Sequence, residues 1–164
     1  MMSPITAAFA ENSSAAQVAR GKYLVELGGC NDCHTPGYLL GKPDMSRYLG
    51  GSDVGFENPA GGFVAPNLTP DRETGIGAWS KQEIVTAIQT GVRPDGRILS
   101  PVMPWQAFAK LTQADADAIA DYLKTLKPVS HKVPGPFAPG EKATSFMMVV
   151  KPPAAASAKA ETSR

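Results

Sequence analysis

The sequence predicts a helical domain folded around one large ligand, and three observations carry the prediction. Helical start and stop signals recur in three places, near Ala15–Leu27, Ser80–Gly91 and Thr112–Leu126. The connection from Thr35 to about Ser80 is punctuated by Gly and Pro and lacks periodicity, a length that a compact domain keeps when the segment packs on a ligand. The third is Cys30-Asn31-Asp32-Cys33-His34, the Cys-x-x-Cys-His pattern of covalent c-type haem attachment. The 164 residues suit one domain with tails. Their 16 Gly and 15 Pro suit a chain that wraps an apolar group instead of building its whole core from side chains.

Met1–Ala10 lacks a basic start and is short for a complete secretory signal. Ala8-Phe9-Ala10 has the small-x-small form of a cleavage site, so residues 1–14 read either as the remnant of an export signal or as a plain disordered tail. Ser13 and Ser14 can cap a helix from about Ala15 to Leu27, with Gln17, Gly21, Leu24, Val25 and Gly28 near one face. A glycine inside a helix costs about 1 kcal/mol against alanine. Gly21 therefore predicts the close approach of a second helix, with Tyr122 the expected neighbour. Gly28-Gly29 stops the helix and frees the backbone to enter the cysteine turn.

Turns are expected at Thr35-Pro36-Gly37, Gly50-Gly51 and Gly61-Gly62, with short strand-like pieces such as Phe63-Val64. Ser80-Lys81-Gln82-Glu83 is a capping box that opens a helix with Ile84, Val85 and Ile88 inward, closed by Gly91. Thr112 opens another in the same way, with Asp115 in the Glu position and Ile119, Tyr122, Leu123 and Leu126 as its apolar stripe. Pro128 ends it. Residues 129–150 are expected to run extended over the surface, anchored by Phe137, Phe146 and Met147 to Val150, and residues 151–164 have the composition of a disordered tail.

The spacing of the motif has a mechanical reason. Each thiol adds to one of the two haem vinyl groups, so both sulfurs must reach adjacent pyrrole rings from one tight turn. His34 is then carried beneath the iron as its proximal ligand. Rival readings of Cys30 and Cys33 fare worse. A thioredoxin-like dithiol would sit beside a βαβ pattern, and no parallel-strand runs are evident. A zinc site would need further ligands, and the chain has just two cysteines and two histidines, His34 and His131. A disulfide between Cys30 and Cys33 would close too small a loop to help folding much.

The second axial position points to Met103, in Ser100-Pro101-Val102-Met103-Pro104-Trp105 between two helices. Flanking prolines stiffen the backbone that presents an otherwise flexible thioether. Met45 lies too near the attachment turn, and Met147 and Met148 lie beyond the last helix. His131 is expected to be a solvated residue of the tail. The formal net charge of +1 carries no nucleic-acid footprint, and no apolar run is long enough to span a bilayer.

Cys-x-x-Cys-His after a first helix, a distal methionine before a last helix and an aromatic within that helix together resemble a class I cytochrome c, over roughly Gln17 to Pro128. Ala65-Pro66-Asn67-Leu68-Thr69-Pro70-Asp71, Thr74-Gly75-Ile76-Gly77-Ala78-Trp79-Ser80, Asp95-Gly96-Arg97 and Met103-Pro104-Trp105 are similar to runs in the haem domains of cytochrome subunits of bacterial membrane-bound alcohol, aldehyde and sugar-acid dehydrogenases. The resemblance implies an all-α fold, with residues 15–128 a cytochrome c-like domain around one haem c. It also implies that Asn67 and Trp79 pack on the haem or face its propionates, although Trp79 reads equally as core.

The expected function is electron transfer by a single haem, between a periplasmic dehydrogenase and a downstream cytochrome or oxidase, with no catalytic residue. His and Met ligation saturates the iron and raises its potential. Export follows from the haem, because c-type attachment takes place outside the bacterial cytoplasmic membrane. The alternatives are a peroxidase-like haem enzyme, which would need an open iron position and an acid–base group over it, and a small-ligand sensor with a displaceable Met103.

Overall fold

The structure, a computed structural model, describes residues 4–150. Five helices and three strands follow in chain order. They are α1 (Pro4–Leu27), α2 (Cys30–His34), β1 (Val54–Asn58), β2 (Gly61–Val64), α3 (Lys81–Thr90), α4 (Trp105–Phe108), α5 (Gln113–Thr125) and β3 (Phe146–Val149). Single 3-10 turns sit at Tyr38–Leu40 and Met45–Arg47.

The helical expectations hold where the signal is local. Ser80 Oγ accepts the Glu83 N–H while Glu83 returns a bond to the Ser80 backbone, and Gly91 closes α3 in the left-handed region at φ 74°. Thr112 accepts the Asp115 N–H at the head of α5. The first helix departs from expectation. It begins at Pro4 rather than near Ala15, so Ser13 and Ser14 fall within it and not at its start. Pro4 suits a first helical position because its missing N–H is unsatisfied there anyway, and the alanines that follow favour helix. The export-signal reading of residues 1–14 falls partly, and the tail at 151–164 wholly, outside the described residues.

An all-α fold is overturned by a three-stranded sheet of order β2-β1-β3. β1 and β2 form an antiparallel hairpin from Gly55↔Val64 to Asn58↔Gly61. β3 pairs with β1 in parallel, from Val54↔Phe146 to Glu57↔Val149. The expectation of no parallel strands fails for the same reason: β3 arrives from the far end of the chain, so no βαβ pattern announces the pairing. The 129–150 segment is extended, and of its expected anchors Phe137 and Met147 hold while Phe146, Met148, Val149 and Val150 do not. Phe137 is buried and Met147 lies over Gly55 and Gly62, whereas Phe146 is 68% exposed and Val150 equally so.

The core is formed where α1 crosses α5 and α3 packs beside them. Val25, Leu49, Ile76, Ile84, Val85 and Leu123 are among its buried members. No helix among the described residues is long and apolar enough to cross a membrane.

Candidate haem site

The chain leaves α1 through Gly29, which sits at φ 65° where a side chain would be strained, and turns at once into α2. Cys30, Cys33 and His34 occupy positions i, i+3 and i+4 of that short helix and so share a face. All three line one cavity of about 530 Å³, within the roughly 300–1,000 Å³ range of cofactor sites. Its walls come from distant parts of the chain: Leu24 of α1, Phe56 and Phe63 of the hairpin, Ile84 of α3, Phe108 of α4 and Ile119 of α5. Met103 lines the same cavity from the loop between α3 and α4.

His34 is buried and held by its backbone and its ring. Its carbonyl accepts the Gly51 N–H at 2.8 Å. Its Nδ1 lies 2.7 Å from the Pro66 carbonyl oxygen. A carbonyl can only accept, so Nδ1 carries the proton and Nε2 keeps the free lone pair that a metal takes. Burial lowers the His34 pKa, against a smaller opposing effect of the Pro66 bond, which keeps the ring neutral. Thr35, next in the chain, bridges Asn31 Oδ1 at 2.6 Å and the Leu49 N–H at 2.9 Å, locking the helix end to the following loop.

The cysteines are free and are not poised as a dithiol. Burial pushes the Cys30 thiol up to about 11 and raises that of Cys33, the reverse of a reactive thiolate pair. Among the described residues no group of three His, Cys, Asp or Glu side chains is placed to hold a metal ion. The donor set instead fits haem: two thiols and an imidazole on one face, a thioether in the same cavity, and apolar walls.

Asn67 and Trp79 both line the cavity, but in different ways. The buried Asn67 amide is fully engaged elsewhere. Nδ2 donates to the Val129 carbonyl at 2.7 Å and Thr74 Oγ1 at 3.1 Å, and Oδ1 accepts from Thr69 N and Oγ1 at 2.9 and 2.7 Å. Asn67 therefore braces the loop. Trp79 is half-buried and carries the Arg93 guanidinium over its ring at 5.0 Å. His131, expected in solvent, is half-buried with Nδ1 donating to the Gly50 carbonyl at 2.7 Å.

Sequence reasoning missed the cations of the site. Arg93, Arg97 and Lys132 line the cavity. Burial, then repulsion from Arg93, lowers the Arg97 pKa, against an opposing effect of Asp95. The turn Asp95-Gly96-Arg97, just ahead of Met103, was the available signal.

Residues 18–127 match the cytochrome c family. The chain is 36% identical over 125 residues to the cytochrome c subunit of the quinone alcohol dehydrogenase of Gluconobacter oxydans (strain 621H), covering 76% of this chain and 24% of that one. It is 37% identical over 110 residues to the fructose dehydrogenase cytochrome subunit of Gluconobacter japonicus, covering 65% and 21%. It is 34% identical over 112 residues to the gluconate 2-dehydrogenase cytochrome c subunit of Pantoea cypripedii, covering 68% and 24%. The chain thus spans a quarter or less of the length of these relatives.

Proposed function

Because the chain belongs to the cytochrome c family, whose domains carry covalent haem c, we propose that it is a one-haem electron carrier that passes single electrons from a periplasmic dehydrogenase to a downstream cytochrome or oxidase. The observation that carries the reading is the His34 Nδ1 bond to the Pro66 carbonyl, in a cavity shared with Cys30, Cys33 and Met103. Bound haem would supply a one-electron iron couple.

Every other task falls to the chain. Cys30 and Cys33 would hold the haem through thioether links, and His34 would offer Nε2 to its iron. Met103 offers its sulfur from a loop pinned by the Leu99 N–H to Gly91 carbonyl bond at 2.7 Å and by the Met103 N–H to Ser100 carbonyl bond at 2.9 Å. Arg93 and Arg97 offer positive charge to the haem carboxylates, with Trp79 stacked beneath Arg93. The apolar walls exclude water, which favours the less charged reduced state and raises the potential. If both His34 and Met103 held the iron, small molecules would have no site on it, as a carrier requires and an enzyme or sensor does not.

The relatives named as dehydrogenase cytochrome subunits support a dehydrogenase as the electron donor. They also support a location on the outer side of the cytoplasmic membrane, where c-type attachment takes place.

The test is chemical and spectroscopic. Acid–acetone treatment should leave the haem on the polypeptide, whose mass should exceed that of the bare chain by one haem. Reduced protein should not bind carbon monoxide. Freely extracted colour would overturn covalent attachment, and ready carbon monoxide binding would favour the enzyme or sensor.

A further inference from the structure

The segment after α5 does more than cross the surface. Residues Lys132, Val133, Pro134, Gly135 and Pro136 line the haem cavity. The segment is laced down at both ends. The Val129 N–H donates to Thr69 Oγ1 and the His131 N–H to Thr74 Oγ1, each at 3.0 Å, and His131 Nδ1 donates to the Gly50 carbonyl at 2.7 Å. Gly62 and Phe137 exchange two backbone bonds at 3.0 and 2.9 Å, and β3 then joins β1.

Several of the closest approaches fall on glycines. A Cβ at Gly50 would meet Val129 Cγ1 at 3.0 Å, and one at Gly62 would meet Phe137 Cδ2 at 3.1 Å and Met147 Cε at 3.0 Å. A Cβ at Gly55 would meet Met147 Sδ at 2.8 Å, and Gly51 lies directly under Val133. Gly51 and Gly61, the latter against the Phe137 carbonyl, also sit at φ 95° and 122°, which glycine adopts readily, whereas Gly50, Gly55 and Gly62 have no positive φ and admit the segment because they lack a side chain.

We propose that residues 129–149 are a strap that closes one side of the haem cavity and raises the reduction potential, and that Gly50, Gly51, Gly55, Gly61 and Gly62 are its landing sites. The proposal rests on the haem reading above. Its physical basis is solvation: the oxidised haem carries one more positive charge than the reduced one, and water stabilises that charge. A strap that keeps water away therefore favours reduction. Lys132, carried by the strap to the cavity wall, acts in the same sense, because a nearby cation disfavours added positive charge.

The experiment uses the full-length holoprotein with Phe137→Ala, and Gly62→Ala as a milder second variant. Neither residue lines the cavity. Spectroelectrochemistry reads the midpoint potential, and amide hydrogen exchange reads residues 132–137. The expected result is faster exchange in the strap and a lower midpoint, with the near-infrared sulfur-to-iron band retained. Val85→Ala, which weakens the core away from the strap, should leave the midpoint in place. If the Phe137 variant fails to accumulate holoprotein, Gly62→Ala carries the test. Faster strap exchange with an unmoved midpoint overturns the strap, as does an equal shift in Val85→Ala. Haem that extracts from the unmutated protein instead overturns the function reading, and the strap with it.

Discussion

Gly21 of the first helix lies directly against the Ala118 carbonyl and Tyr122 of the last, and a Cβ placed there would come within 2.8 Å of Tyr122 Cβ. The two helices can approach this closely because one of them presents bare backbone. Arg20 to Asp115 at 2.9 Å and Gln17 to Asp121 at 2.5 Å flank the crossing.

Gly21→Leu should therefore force the helices apart, with a loss of about 1–3 kcal/mol. A denaturant melt of the holoprotein checks this. Unchanged stability would mean that the crossing relaxes without strain.

Met103→Ala should abolish the near-infrared sulfur-to-iron band of the oxidised protein, lower the midpoint potential and open the reduced iron to carbon monoxide. Axial ligation spans about 0.8 V across haem proteins, so the shift should be plain in a redox titration. A band that survives would assign the thioether to another methionine.

Asn67→Ala should cost about 1–3 kcal/mol, because it removes the shortest bonds made by the part-buried Val129 carbonyl and the buried Thr69 hydroxyl. A thermal melt of the holoprotein should show it. Asn67→Asp, close in shape but unable to donate to Val129, should be no better than alanine.

Asp44 predicts an acid limb of stability. Its bonds from the Ser46 hydroxyl and then Arg47 hold its carboxyl at about 2, against an ordinary 3.8. A carboxyl depressed in the folded state stabilises above the unfolded value, and the gain disappears as pH falls through the folded one. The Asp44 contribution should thus be whole above pH 3.8 and lost toward pH 2. Asp71 and Asp115 are shifted the same way. Melting temperature against pH should be flatter below 3.8 in Asp44→Asn than in the unmutated protein. Parallel curves would remove Asp44 from the account.

What the sequence by itself determined is local. Cys30, Cys33 and His34 share one face because any helical turn places i, i+3 and i+4 together. Ser80 with Glu83 and Thr112 with Asp115 cap their helices because the bonded partners are three residues apart. The place of Met103 at the cavity was legible from its prolines and its position between two helices, and Gly21 because a mid-helix glycine asks for a neighbour. Tertiary structure alone decided the rest. β3 meets β1 across most of the chain, and Asn67 meets Val129 across 62 residues, so neither pairing leaves a periodic trace. Glycine is ambiguous for a related reason. Gly50-Gly51 and Gly61-Gly62 read as turns, but the absent side chain also admits a distant strand, and local sequence does not say which strand arrives. The cavity's cations were hidden likewise, since Arg93, Arg97 and Lys132 converge only when the loop before Met103 and the strap after α5 close on the same space.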